Sequence, residues 1–242
     1  MDHELNRLGQ PVGPPVPGWI PPPAPPRASM VGDYCRVEPL DADRHAASLH
    51  AANRLDAEGR NWTYLSVGPF DRLDDYRAWA RDAAAGGDPM FFAVIDKAGG
   101  HAVGVASYMR IDPPKGSIEV GHINFSPPLQ RTRAATEALY LMIAQVFALG
   151  YRRFEWKCDA LNEPSRRAAI RLGLSHEGIF LQASVVKGRN RDTAWYSATD
   201  REWPALQRAF RRWLDPANFD PAGNQKLSLS SLTAPLLRSA AR

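Results

Sequence analysis

Within Ser117-Ile118-Glu119-Val120-Gly121-His122-Ile123 an acid and an imidazole interrupt an otherwise apolar, β-prone run, and both residue types can move a proton near neutral pH. Glu119 is the first candidate for a general base and His122 the reserve. A carboxylate on an antiparallel strand is equally at home on a solvated face or in a salt bridge, and a histidine between Gly and Ile in packing. Downstream, Ser126-Pro127-Pro128 leads through Leu129-Gln130-Arg131-Thr132-Arg133-Ala134-Ala135-Thr136-Glu137-Ala138 into a long helix. The first N–H groups of a helix have no internal partners and its dipole favours negative charge. A pyrophosphate can sit at such a junction, with Arg131 or Arg133 adding side-chain charge. The same residues also suit plain helix-start chemistry through Thr136 or Glu137. Further on, Asn162-Glu163-Pro164-Ser165 has the form of a helix start capped by Asn162.

The elements that must position these groups alternate in a mixed α/β order. A first strand is expected over Tyr34 to Pro39, then helices over Asp41 to Leu55 and Leu73 to Ala85. Met90 to Asp96, Ala102 to Ile111 and Ser117 to Phe125 read as strands two to four of an antiparallel meander, separated by Ala98-Gly99-Gly100 and Pro113-Pro114-Lys115-Gly116. Ala134 to Leu149 carries Leu139, Met142, Ile143, Val146 and Phe147 at helical spacing, closed by Gly150. A fifth strand over Phe154 to Asp159 and a short helix over Glu163 to Leu172 follow. Strands over Gly178 to Lys187 and Asp192 to Ala198 flank a charged hairpin, Lys187-Gly188-Arg189-Asn190-Arg191-Asp192, for which recognition of an acidic substrate or a phosphate is an additional reading. Trp203 to Leu214 closes as an amphipathic helix whose Arg208, Arg211 and Arg212 fit either a solvated face or a nucleic-acid contact.

Composition bounds what these elements can be. The 242 residues, 44 % hydrophobic and 23 % charged, suit one substantial core and exclude wholesale disorder or a long coiled coil. Ala138 to Leu149 is too short to cross a bilayer, and Met1 to Gln10 has no apolar run behind its charges, so no membrane partner and a cytoplasmic location are expected. Cys35 and Cys158 lack metal-ligand spacing; they read as buried free thiols, and no metal is expected. The net charge of +4 suits a phosphate-bearing cofactor as well as nucleic acid. Residues 1–31 read as a proline-rich arm, with nine of the 21 prolines between Pro11 and Pro26. That arm is either a semi-rigid tail or a strap whose Trp19 and Ile20 pack on the domain or a second subunit. Residues 32–214 form the domain and 215–242 an irregular tail.

In order and spacing, four segments resemble the GCN5-related N-acetyltransferases (GNAT superfamily), in particular the RimJ/RimL-type ribosomal-protein N-terminal acetyltransferases. They are Ser117 to Ile123, the Gln130 to Ala138 loop, Asn162-Glu163-Pro164-Ser165, and Leu172-Gly173-Leu174 with Glu177-Gly178, and the resemblance spans roughly Gly32 to Trp203. It implies an α/β GNAT fold, with a mixed, mostly antiparallel sheet splayed between strands four and five and flanked by helices. It also implies acetyl-CoA as cofactor and direct acetyl transfer to a primary amine, either a peptide N-terminus or a small molecule. Coenzyme binding would fall to Gln130, Arg131, Thr132, Arg133, Ala134, Ala135 and Thr136 in the phosphate loop and to Asn162 and Ser165 along the pantetheine arm. Backbone N–H groups from Ile123 to Phe125 would serve as oxyanion donors.

Family members with Glu at the position of Glu119 make it the expected base, and Ser165 matches the serine of the RimL-like branch, able to hydrogen-bond the sulfur. Two positions depart from the pattern. Relatives carry Gln/Arg-x-x-Gly-x-Gly/Ala in the loop; Gln130 and Ala135 match, whereas Arg133 replaces the first glycine. Many relatives place a thiolate-protonating Tyr where Ala169 stands. A domain that binds CoA or a protein partner without turnover is therefore the alternative. Nucleic acid is not expected as a partner, and a homodimer is left open.

Overall fold

A computed structural model of the chain describes residues 4–238. Readings that rest on residues 1–3 and 239–242 lie outside the described residues. Two short strands, β1 (Glu4–Leu5) and β2 (Pro11–Val12), pair only with each other, and β3 (Met30–Val31) opens the main sheet. There follow β4 (Cys35–Pro39), α1 (Ala42–Asn53), α2 (Leu73–Ala85), β5 (Met90–Asp96), β6 (Ala102–Asp112), β7 (Ser117–Phe125) and α3 (Arg133–Ala148). The chain continues through β8 (Arg153–Asp159), α4 (Glu163–Arg171), β9 (Ser175–Val186), β10 (Arg189–Thr199), α5 (Trp203–Leu214) and α6 (Leu229–Thr233). The expected fourth and fifth strands are thus β7 and β8.

The eight-stranded sheet runs β3-β4-β5-β6-β7-β8-β10-β9, and its neighbours are antiparallel except for β7 and β8. That pair is parallel because α3 carries the chain back along one face before β8 begins. Alternation along β8 shows how the sheet divides two cores. Phe154, Trp156 and Cys158 point into a cluster with Ile118, Val120, Met142, Ile143 and Phe210 under α3, α4 and α5. Glu155 and Lys157 face the other way. On that second face α1, α2 and the turn at Arg60–Trp62 bury Leu49, Trp62, Tyr76, Phe91 and Val105.

The proline arm is a strap. Trp19 lies under the Arg152 guanidinium, 5.4 Å from ring centroid to Cζ, and against Gly116, where any Cβ would collide with the indole. Ile20 does not pack: it is 79 % exposed. Beyond residue 214 the chain is irregular apart from short helical turns, yet it is docked, with Leu229 and Thr233 fully buried. Arg238 reaches the Glu177 carboxylate, which Arg153 and the Ser197 hydroxyl also hold. The Arg153 hydrogen bond is the main cause that keeps the Glu177 carboxyl near about 2, well under its ordinary 4.5. A carboxyl lowered on folding contributes stability above the unfolded value and loses it as pH falls through the folded one. Urea denaturation at pH 7 and pH 3 should therefore show a smaller loss of stability for Glu177→Gln than for the wild type.

Candidate active site

β7 and β8 pair only over Ser117–Val120 with Arg153–Trp156, after which the strands diverge. From Gly121 to Phe125 the β7 backbone has no strand partner on the β8 side, and a cleft opens there. On the other edge of β7 the register against β6 steps from Gly121↔Ser107 to Asn124↔Val105, so His122 and Ile123 share the slot opposite Ala106. This is a β-bulge, with His122 held at φ 48°. The bulge shifts the alternation by one residue. His122 stacks on Phe91, 5.0 Å between centroids, and Asn124 lies opposite Val105, so both join the α1/α2 face. Ile123 and Phe125 turn to the α3 face.

His122 is held on one ring nitrogen. The Ser107 hydroxyl donates to the Gly121 carbonyl at 3.2 Å, so its oxygen accepts from His122 Nδ1–H at 2.9 Å and leaves the Nε2 lone pair free. Burial, with the charges of Arg110 and Arg191 adding and Asp88 opposing, holds the imidazole below its ordinary 6.5 and hence neutral at pH 7. Glu119 lies on the same face, 3 % exposed. Its Oε2 is bound by Arg110 Nη1 at 2.6 Å and Lys157 Nζ at 2.9 Å, and among the described residues no protein donor meets Oε1. The salt-bridge alternative for this residue is the observed one, and it leaves one carboxylate oxygen open.

At the other end of β7 the loop into α3 forms a backbone nest. Arg131 adopts φ 61°, and Thr132 caps the helix, its Oγ1 accepting from the Ala135 N–H at 3.1 Å. Among the described residues no protein acceptor meets the N–H groups of Arg131, Arg133 or Ala134. Such a set fits an oxyanion without further charge. The Arg133 side chain is turned away from the nest, its guanidinium stacked 4.3 Å from the Phe219 centroid and 5.1 Å from Tyr34, so the residue in the family's glycine place offers the loop its amide and not its charge. Gln130 is also occupied: its Nε2 donates to the Phe125 carbonyl at 2.8 Å and to Asn61 Oδ1 at 2.9 Å. The Thr136 hydroxyl accepts from Arg171 at 3.1 Å, which ties α3 to α4.

Across the cleft, Asn162 caps α4 by accepting from the Ser165 N–H at 3.2 Å. Ser165 Oγ accepts from the Trp156 indole at 3.0 Å, close to the Cys158 thiol, which burial pushes up. Loop residues 61–68 roof the α1/α2 side. Asn61 donates to the Phe125 carbonyl at 3.2 Å, and Tyr64 to the Leu161 carbonyl at 3.1 Å. The tip of the β9–β10 hairpin closes on this loop through Lys187, whose Nζ donates to the carbonyls of Trp62 at 3.0 Å and Gly68 at 3.2 Å. The fold therefore joins the aromatic loop and the charged hairpin, which lie more than a hundred residues apart in sequence.

Sequence reasoning passed over Glu137 as helix-start chemistry, and its actual role is long-range. Its buried carboxylate accepts from the N–H groups of Asp33 at 2.8 Å, Tyr34 at 2.7 Å and Cys35 at 2.8 Å, clamping α3 to the start of β4. Gly32 is required beside it, since a Cβ would run into that carboxylate. The signal available was an acid within the first turns of a helix that otherwise buries apolar residues.

Known proteins place this architecture. The family model described as an acetyltransferase (GNAT) domain matches residues 36–175. A GCN5-related N-acetyltransferase from Brucella melitensis is 48 % identical, covering 90 % of this chain and 100 % of that one, with a TM-score of 0.89. A probable acetyltransferase of the GNAT family from Chromobacterium violaceum is 41 % identical over 81 % of this chain and 98 % of that one, with a TM-score of 0.75. RimL, the ribosomal L7/L12 alpha-N-protein acetyltransferase, shares the fold at 19 % identity, over 71 % of this chain and 93 % of that one, with a TM-score of 0.61. Because the matched family model spans both strands of the splay and the loop between them, the chain belongs to the GCN5-related N-acetyltransferase family and is an acetyltransferase.

Proposed function

We propose that this chain transfers an acetyl group from acetyl-CoA directly to a primary amine that enters from the α1/α2 face of the splay. The observation that carries this is the bulge. It leaves backbone donors open to the cleft on one side of β7 and a neutral imidazole with a free lone pair on the acceptor side. The unpartnered amides of Arg131, Arg133 and Ala134 would grip the coenzyme diphosphate, and Asn162 and Ser165 would line its pantetheine arm. When bound, the coenzyme supplies an acyl thioester. N–H groups between Ile123 and Phe125 would receive the charge that develops on the acyl oxygen. Ser165, whose oxygen is held by the Trp156 indole, would turn its hydroxyl proton from the Cys158 thiol to the departing sulfur.

His122 Nε2 would take the proton that the amine sheds as the C–N bond forms. Glu119, with Oε2 engaged by two cations, would act through its open Oε1 on a bridging water or on the charge of Arg110. The acceptor is a peptide N-terminus or a small-molecule amine. An α-amine, with a pKa of about 7.7 to 8.0, needs less help than a lysine near about 10.4.

Calorimetry with acetyl-CoA, followed by CoA-thiol release across N-terminal peptides, aminoglycosides and polyamines, tests the reading. Micromolar binding with thiol release is expected. Binding without release on any amine would leave a degenerate coenzyme-binding domain, and no binding would end the proposal. Glu119→Gln is expected to lower kcat less than His122→Gln does; the opposite order would return the proton-accepting role to Glu119.

A further inference from the structure

Three side chains around the splay hold buried polar atoms with no protein partner: both ends of the Asn124 carboxamide, Nε of Arg191, and Nε1 of Trp195. Native interiors keep few such groups, and several at one cleft mark a place for water or a polar ligand. Their placement is consistent. The bulge puts Asn124 on the α1/α2 face. Trp195 pairs with Lys157 across β8 and β10, and that ammonium sits 3.7 Å from the indole centroid and binds Glu119. Arg191 lies past the last rung of that ladder, Thr193↔Asp159, and its charge is felt by both His122 and Cys158, one on each wall of the gap.

Among the described residues Arg191 also lacks a counter-charge, and unlike Lys187 it has no carbonyl on its side chain either. Arg110 and Lys157 are paired with Glu119 and Glu155, and Arg166 with Glu163. The nearby acids are turned elsewhere. Asp88 accepts from the Arg110 and Ile111 N–H groups, Asp159 from that of Leu161, and Asp192 from the Gln182 N–H and Asn190. Among the described residues the Arg191 side chain forms no ion pair and no hydrogen bond, while Lys187 pins its hairpin to the roof of the pocket. A half-buried guanidinium with its donors unused matches a planar oxyanion.

We propose that the acceptor amine carries a carboxylate, which Arg191 holds with the help of the Asn124 carboxamide so that the amine meets His122. This rests on the acetyl-transfer reading and adds the class of substrate.

Two matched pairs of amines test it, each differing only in carboxylate against carboxamide: Ser-Asp-amide with Ser-Asn-amide for a peptide source, and β-alanine with β-alaninamide for a small molecule. Acetyl transfer is measured as kcat/KM, and binding by calorimetry on the CoA-saturated protein. In at least one pair the carboxylate member should win by about tenfold or more, the scale of a charge-assisted hydrogen bond. In Arg191→Gln that preference should fall to within about twofold, chiefly through a loss on the carboxylate member, and Arg191→Lys should restore part of it. Arg191 has no protein partner to lose, so an unchanged Tm is expected for both variants. Equal treatment of both members, or a preference that survives Arg191→Gln, overturns the proposal. If thiol release is never seen but calorimetry still shows the Arg191-dependent preference, the acetyl-transfer reading fails and the anion site stands.

Discussion

His122→Ala should lower kcat/KM for acetyl transfer by about a hundredfold or more, the range for removing a positioned general base, while acetyl-CoA affinity measured by calorimetry stays as in the wild type. The imidazole sits at the bulge with Nδ1 fixed by Ser107 and Nε2 unoccupied, on the face away from the phosphate loop. Removing it takes away a proton acceptor without touching the amides of Arg131, Arg133 and Ala134. The pH profile separates this role from a packing role. Only the neutral imidazole accepts a proton, so kcat/KM should fall as pH drops through the His122 pKa. Burial first, then Arg110 and Arg191, hold that pKa below 6.5, with Asp88 opposing. The acid limb of the profile should therefore lie below the ordinary histidine value and vanish in His122→Ala. A variant that keeps both its rate and that limb would assign the proton to another group.

The largest effect on stability is expected at Glu137. Glu137→Ala leaves the N–H groups of Asp33, Tyr34 and Cys35 without their acceptor inside the protein. Breaking a buried charged network of this kind costs about 3–5 kcal/mol. For a chain of this length that corresponds to a fall in Tm of roughly 6 to 20 °C. Glu137→Gln should lie between the two, because its one carbonyl oxygen still accepts on one side while its NH2 faces a donor on the other. Gly32→Ala should approach the alanine variant, since its Cβ would push into the same carboxylate. Thermal unfolding of the three variants checks the order; a Tm for Glu137→Ala within about two degrees of wild type would show that the clamp contributes little.

Some of this was legible in local pattern. The helical rhythm of Leu139, Met142, Ile143 and Val146 locates α3, and the expected strands at 90–96 and 117–125 are those observed, because periodicity reports the burial of one face directly. Asn162 was recognisable as a cap, since a cap needs only the amides two or three residues ahead, whereas the cap of α3 is Thr132 and not the Thr136 or Glu137 expected to serve the helix start. Glu119 and His122 stood out as ionisable groups in an apolar strand, and family resemblance supplied the splay between β7 and β8.

Only the tertiary structure decided the rest. The slip from Gly121↔Ser107 to Asn124↔Val105 determines which face receives His122, and strand register depends on the partner strand as much as on the residues of β7 themselves. The arginine that replaces the loop glycine turns onto Tyr34 and Phe219, from segments about a hundred residues before it and eighty after it, so its effect on the nest was invisible to any local window. Glu137, Asn124 and Arg191 have the same character. What a buried charge or amide does depends on the groups packed around it, and those are brought together by the sheet order and the α3 crossover, not by spacing along the chain.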